Sequence, residues 1–278
     1  MSGVDYEAEY NNRARVPEHP GLIAGWSVDA AAYRAQPQLA ATLDIAYGPS
    51  ERQRYDLFGD GGGPIALFVH GGYWQGLDRS FFSHLARGLN ARGVTVALPS
   101  YDLCPAVPVA TIVDQIRAAC AHLWRRFERP MVVAGHSAGG HLAACMLATD
   151  WSTVDGGLPA APMRAGYSLS GLFDLEPLVG TSINGALRLD AAEARRLSPL
   201  RWAPPRGLVL DAVVGGAESE EYLRQSRTIT SAWGEAGVRT RCEVVEGANH
   251  FTVVAPLADP DSAMTRRLAA LADAAGNP

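Results

Sequence analysis

Residues 135–139 read Gly-His-Ser-Ala-Gly, behind the apolar run "PMVVA" and ahead of the helix-forming stretch "HLAACMLAT". A serine between glycines at this spacing, with a strand before it and a helix after it, suits a nucleophile carried on a sharp turn. The turn strains the backbone at Ser137 and brings the flanking chain close. A Cβ at 135 or 139 would clash, so both positions are glycine. The helix that starts there aims its first N–H groups at the serine, where they favour developing negative charge. Such a serine attacks an acyl carbon. It needs a base for its proton, an acid to orient the base, and N–H donors for the oxyanion.

In this strand–turn–helix context the expected chain order is serine, acid, histidine. His250, in "EGANHF", follows the last strand-like run and is the candidate base. His19 lies in the N-terminal arm, and His84 and His122 lie in helical patterns. His136 sits inside the turn facing away from the serine. His141, one helical turn beyond Ser137, is assigned to packing. The acid should follow the penultimate strand, "LVLDAVVGG". Glu218 is the first carboxylate there and is the candidate. Asp174, in "SGLFDL", is the positional runner-up, whereas Asp211 lies inside a strand and points to a sheet face. Glu220 and Glu221 read as solvated acids at a helix start.

The oxyanion donors are expected from Ala138, after the serine, and from "HGGYW", after an earlier apolar strand. Gly71 and Gly72 let that backbone approach a substrate closely, and the N–H groups of Gly72 and Tyr73 are the candidate donors. His70 is expected to hold the loop by hydrogen bonds. Tyr73 and Trp74 sit at the rim, either to stack on an aromatic substrate or to pack the loop. Cys104, in "YDLCP", is a pocket-lining candidate; no base neighbours it in sequence, so it is not assigned as a nucleophile. With Phe251, these make a substrate-binding set of Gly71, Tyr73, Trp74, Cys104 and Phe251.

The elements that must position these residues alternate in type. "TLDIAYG" and "RQRYDLFG" alternate in polarity like two antiparallel strands. "PIALFVH", "VTVALPSY" and "PMVVAGHS" are continuous apolar runs suited to strands buried on both faces. Further strands are expected at "AGYSLSG", "GLVLDAVVGG" and "RTRCEVVEG". Helical patterns lie between them, at "DRSFFSHLARGLNARG", "VATIVDQIRAACAHLWRRFE" and "AGGHLAACMLAT", and at the end in "AMTRRLAALADAAG". The expected fold class is α/β: a mostly parallel central sheet, with an antiparallel edge, covered by helices on both faces. Residues 1–278 are read as one domain. Residues 1–40 form an extended arm with a short helix at "VDAAAYRAQPQLA", and about 174–205 form a small helical insertion over the sheet end.

Composition narrows the function classes. The chain has 278 residues, 47% of them hydrophobic, and a formal net charge of −5. No basic patch interleaved with aromatics points to nucleic acid. The polar, acid-bearing start is not a signal peptide, and no apolar run approaches the roughly 18–20 residues that span a bilayer. The four cysteines are scattered without metal-ligand spacing, as suits reduced thiols in a cytoplasmic protein. The expected partner is a small molecule, with no metal or organic cofactor, no nucleic acid and no membrane. A homodimer could form through the sheet edge or the insertion.

Taken together, "HGGYW", "GHSAGGHLA", "SGLFDLEPL", "AESEEYLRQS" and "GANHF" resemble the α/β-hydrolase superfamily. Within it they resemble the kynurenine formamidase (arylformamidase) group and its bacterial esterase relatives. "HGGYW" is more specific to that group than the "HGGG" of hormone-sensitive-lipase-like esterases. The resemblance implies the α/β-hydrolase fold, with Ser137, Glu218 and His250 in the triad positions. Kynurenine formamidases of animals and fungi commonly carry aspartate as the acid, where this chain has Glu218; the carboxylate does the same work on a longer stem. The implied activity is hydrolysis of a small aryl formamide such as N-formyl-kynurenine. The alternative is a short-acyl carboxylesterase acting on a secondary metabolite or xenobiotic ester. A non-catalytic ligand-binding hydrolase fold is a remote third reading, since such proteins usually lose a triad member and here all three positions are filled.

Overall fold

The computed structural model describes residues 3–276. Eight strands form one sheet in the order β1-β2-β4-β3-β5-β6-β7-β8. They are β1 Ala41–Ala46, β2 Arg54–Phe58, β3 Ile65–Val69, β4 Thr95–Pro99, β5 Met131–His136, β6 Met163–Leu169, β7 Val209–Gly215 and β8 Arg239–Val245. β2 pairs antiparallel with both β1 and β4, and every later pairing is parallel. Each strand falls on one of the runs expected from sequence. β5, which delivers Ser137, is central, between β3 and β6. All of its residues are buried, as its unbroken apolar run requires.

The period-two alternation of strand side chains divides the core between the two sheet faces. Ile65, Leu67 and Val69 face one core with Met131 and Val133; Ala66 and Phe68 face the other with Val132 and Ala134. The first face is covered by α5 (Val109–Phe127), α6 (Ala138–Leu147) and α9 (Glu220–Glu235). The second is covered by α3 (His19–Arg34), α4 (Ala86–Asn90) and α10 (Ala263–Gly276). α10 falls on the stretch expected for the C-terminal helix.

Two expectations are corrected. The pattern at 78–93 is not one helix: it breaks into 3₁₀ turns at Arg79–Phe81 and Ser83–Leu85 before α4 begins. Tertiary bonds explain the break, because the Arg34 guanidinium donates to the Ser80 carbonyl and to Ser83 Oγ. The arm is not extended either. It folds into α1 (Tyr6–Tyr10), α2 (Asn12–Arg15) and α3, a 16-residue helix that starts well before the expected position. Asp5 and Asn11 side chains accept from Ala8 N–H and Ala14 N–H, so each short helix carries its own N-cap.

Beyond β6 the chain forms 3₁₀ turns at Glu176–Gly180 and Pro199–Arg201, with α7 (Asn184–Leu187) and α8 (Ala191–Arg196) between them. No helix of the described residues is long and apolar enough to cross a membrane.

Candidate active site

Ser137 occupies the turn between β5 and α6 with φ 57° and ψ −118°. For a non-glycine residue this left-handed geometry costs about 1–3 kcal/mol. Close packing maintains it. A Cβ at Gly135 would lie 2.2 Å from the Gly139 carbonyl oxygen, and one at Gly139 would lie 1.9 Å from that of Val69. The Ser137 N–H donates to the Leu169 carbonyl at 2.8 Å, which ties the turn to β6.

His250 lies in the loop after β8. Asn249 Oδ1 accepts from the N–H groups of Phe251 and Thr252, at 2.9 and 3.0 Å, and fixes that loop. His250 Nδ1 is 2.7 Å from Glu218 Oε2. The other carboxylate oxygen of Glu218 accepts from Ser170 Oγ at 2.5 Å and from Gly215 N–H at 2.7 Å. A carboxylate held on three sides keeps the imidazole proton on Nδ1 and leaves Nε2 to accept one. His136 Nε2 donates to the His250 carbonyl at 2.9 Å. Burial, followed by the neighbouring His250, holds the His136 pKa well below the usual imidazole value, so His136 stays neutral.

The loop after β3 is built around His70. Its ring is stacked on Tyr101, with centroids 4.2 Å apart and planes 6° from parallel, and it lies near-parallel to Phe82 at 6.1 Å. His70 Nδ1 donates to the Gly71 carbonyl at 2.7 Å, and the Tyr101 hydroxyl donates to the His70 carbonyl at 2.9 Å. Burial lowers the His70 pKa to about 4. Three successive residues then take positive φ: Gly72 at 109°, Tyr73 at 50° and Trp74 at 56°. Among the described residues, the N–H groups of Gly72, Tyr73 and Ala138 donate to no protein oxygen.

A cavity of about 410 Å³ opens over these turns, and Ser137, His250 and His136 all line it. Gly72 of the candidate oxyanion donors, and Tyr73 and Phe251 of the substrate-binding set, contribute to its wall. Among the described residues, no cluster of three or more His, Cys, Asp or Glu is placed to share a metal ion.

Residues 66–254 match the family described as alpha/beta hydrolase fold. The chain belongs to the α/β-hydrolase fold family. The hydrolase is 28% identical over 246 residues to the kynurenine formamidase of Danio rerio, a match spanning 84% of this chain and 83% of the fish protein. It is 30% identical over 238 residues to the isoprenylcysteine alpha-carbonyl methylesterase of Arabidopsis thaliana, spanning 74% of this chain and 55% of the plant one. Among solved structures it is similar to a Silicibacter protein provisionally described as a thioesterase. That likeness has a TM-score of 0.84 and 36% identity, over 95% of this chain and 98% of the other.

Three members of the expected substrate-binding set sit off the cavity wall of the hydrolase. Trp74 is fully buried, edge-on to the His141 ring at 5.0 Å, so of the two roles open to it the structure favours packing. Cys104 is buried too, with its N–H on the Trp74 carbonyl at 2.8 Å, and burial pushes its thiol pKa up to about 11. Gly71 is a spacer between loop and turn: a Cβ there would lie 2.8 Å from the His136 carbonyl oxygen. His141 is buried, with Nε2 donating to the Leu197 carbonyl at 2.8 Å. Asp211 pairs with Arg267 at 2.7 Å. Glu221 is not solvated: it is buried, accepts from the Tyr10 hydroxyl at 2.7 Å and pairs with Arg224 at 2.7 Å.

Two contributions escape the sequence reading. Ser170, itself at φ 50°, completes the hold on Glu218, and its only signal is a serine at the end of β6 in "SLSG". The arm supplies Tyr10, Asn12, Ile23 and Trp26 to the cavity wall. No local pattern marks those four for a site.

Proposed function

We propose that the protein is a serine hydrolase whose triad is Ser137, Glu218 and His250. The observation that carries this reading is a strained Ser137 sharing one cavity with His250, whose Nδ1 is tied to Glu218. His250 takes the Ser137 proton as Oγ attacks the carbonyl carbon. The N–H groups of Gly72, Tyr73 and Ala138 receive the oxyanion. His250 then protonates the departing amine or alcohol, and the bond from carbonyl carbon to that group breaks. Water, deprotonated by His250, releases the acid from Ser137.

The substrate reading is a small aryl formamide of the N-formyl-kynurenine type, hydrolysed to formate and the free aryl amine. The likeness to kynurenine formamidase supports it, as do the rings of Tyr10, Trp26, Tyr73 and Phe251 on the cavity wall. Residues 174–205 contribute Ser182 and Ile183 to that wall, and we read them as a cap on one domain. The thiols and composition suit work in the cytoplasm. The second reading is a short-acyl carboxylesterase; the likeness to the plant methylesterase supports ester hydrolysis, the broader part of that reading.

The test is kcat/KM for N-formyl-kynurenine beside p-nitrophenyl acetate and butyrate, with Ser137→Ala as control. A formamide value of about 10⁴ M⁻¹s⁻¹ or more, abolished by the substitution, is expected. Ser137-dependent turnover of the esters alone would move the assignment to the carboxylesterase.

A further inference from the structure

Tyr73 holds a left-handed backbone conformation, with φ 50°, that L side chains rarely adopt, and its N–H is one of the proposed oxyanion donors. Something must therefore fix this residue from its side-chain end. Its hydroxyl is fully coordinated. It donates to the Tyr10 carbonyl at 2.5 Å, and it meets the Tyr222 hydroxyl at 2.6 Å and Asn12 Nδ2 at 3.1 Å. The same Asn12 amide nitrogen lies 2.9 Å from the Tyr222 hydroxyl. One buried NH₂ group thus supplies both of its protons, one to each tyrosine. Tyr222 in turn lays its ring against His250, with centroids 4.7 Å apart.

The geometry points to Asn12 as a positioning residue for the oxyanion loop: its side-chain amide, bridging Tyr73 and Tyr222, sets the direction of the Tyr73 N–H. Asn12 acts through Tyr73. It has no role in proton transfer. The assignment rests on Ser137 as the nucleophile and is independent of which acyl compound is the natural substrate.

The consequence is specific to the tetrahedral state. Misdirecting an oxyanion donor weakens binding where negative charge develops, and leaves ground-state binding largely alone. Asn12→Asp keeps the shape and removes both donors; Asn12→Ala removes the group. With p-nitrophenyl acetate, each is expected to lower kcat about 10- to 100-fold while KM stays within about threefold. Phenylboronic acid, which adds to the serine and places an anionic oxygen in the hole, reports the same state without turnover. Its inhibition constant should rise by the same factor as kcat/KM falls, in protein whose circular dichroism matches the parent. If the Asn12 variants do not fold, Tyr73→Phe deletes the hydroxyl that Asn12 holds, at little cost in volume and with the backbone N–H kept, and should show the same paired change. A folded variant with unchanged kcat would overturn the assignment, as would lost kcat with unchanged boronate affinity. A parent protein with no Ser137-dependent turnover and no boronate binding would sink the nucleophile reading and this one with it.

Discussion

The turns after β3, β5 and β8 and the arm at residues 5–34 build two sides of one cavity by different means. The sheet-end side is made by backbone. Glycines permit the close approach at Ser137, and Gly215 N–H grips Glu218 three residues on. The arm side is made by side chains that cross the whole chain. Tyr10 reaches Glu221 and Gln225, 211 and 215 residues away, and Asn12 reaches Tyr222, 210 residues away. The proposed chemistry, which depends on close placement, thus sits on sheet-end turns. The enclosing wall is tied on by a buried polar network, in which each lost partner leaves another unsatisfied.

Breaking the first side at its acid should cost most. Glu218→Gln keeps the side-chain volume but loses the charge that fixes the His250 tautomer, and kcat should fall about 10³- to 10⁴-fold. Steady-state rates with p-nitrophenyl acetate measure this; a loss under tenfold would remove Glu218 from the triad. Loosening the second side should cost less. Glu221→Ala strips the Tyr10 hydroxyl of its acceptor and Arg224 of its ion pair. Stability should drop by about 2 kcal/mol and kcat by about tenfold, with faster proteolytic cutting in residues 13–18. An unchanged urea midpoint and cutting rate would mean the arm is held elsewhere. The smallest effect is expected at Cys104, buried off the cavity wall. Cys104→Ala should leave kcat within about twofold and cost about 1 kcal/mol. The parent should also keep its activity through iodoacetamide treatment at neutral pH, since the buried thiol has a pKa pushed up to about 11. Rapid inactivation that the substitution prevents would return Cys104 to the cavity wall.

The same division governs what can be read from sequence. All eight strands are legible because period-two and continuous apolar runs are local signals. The Ser137 turn is legible because its glycines answer to sterics within five residues. Glu218 and His250 are candidates by chain order and by their places after the last two strands, and the structure brings them within 2.7 Å. The arm is misread because α1 and α2 have five and four residues, too short for periodicity to speak, and their stability comes from partners far along the chain. At Trp74 the residue type leaves two roles open, ligand stacking or loop packing, and burial against the His141 ring favours packing. Glu221 misleads by position, since acids opening a helix usually face water; here Tyr10 and Arg224 occupy that face.

The arm's contacts also set an order of events during synthesis. Asn12 and Tyr10 leave the ribosome roughly 200 residues ahead of Tyr222 and Gln225, the groups they must meet. At translation speeds of roughly 5–20 residues per second, that is an interval of about 10–40 s. Throughout it the arm has no α9 on which to dock. The cavity wall made first as chain therefore closes only after α9 has emerged, and a nascent protein holding β5 and Ser137 still lacks that enclosure around them.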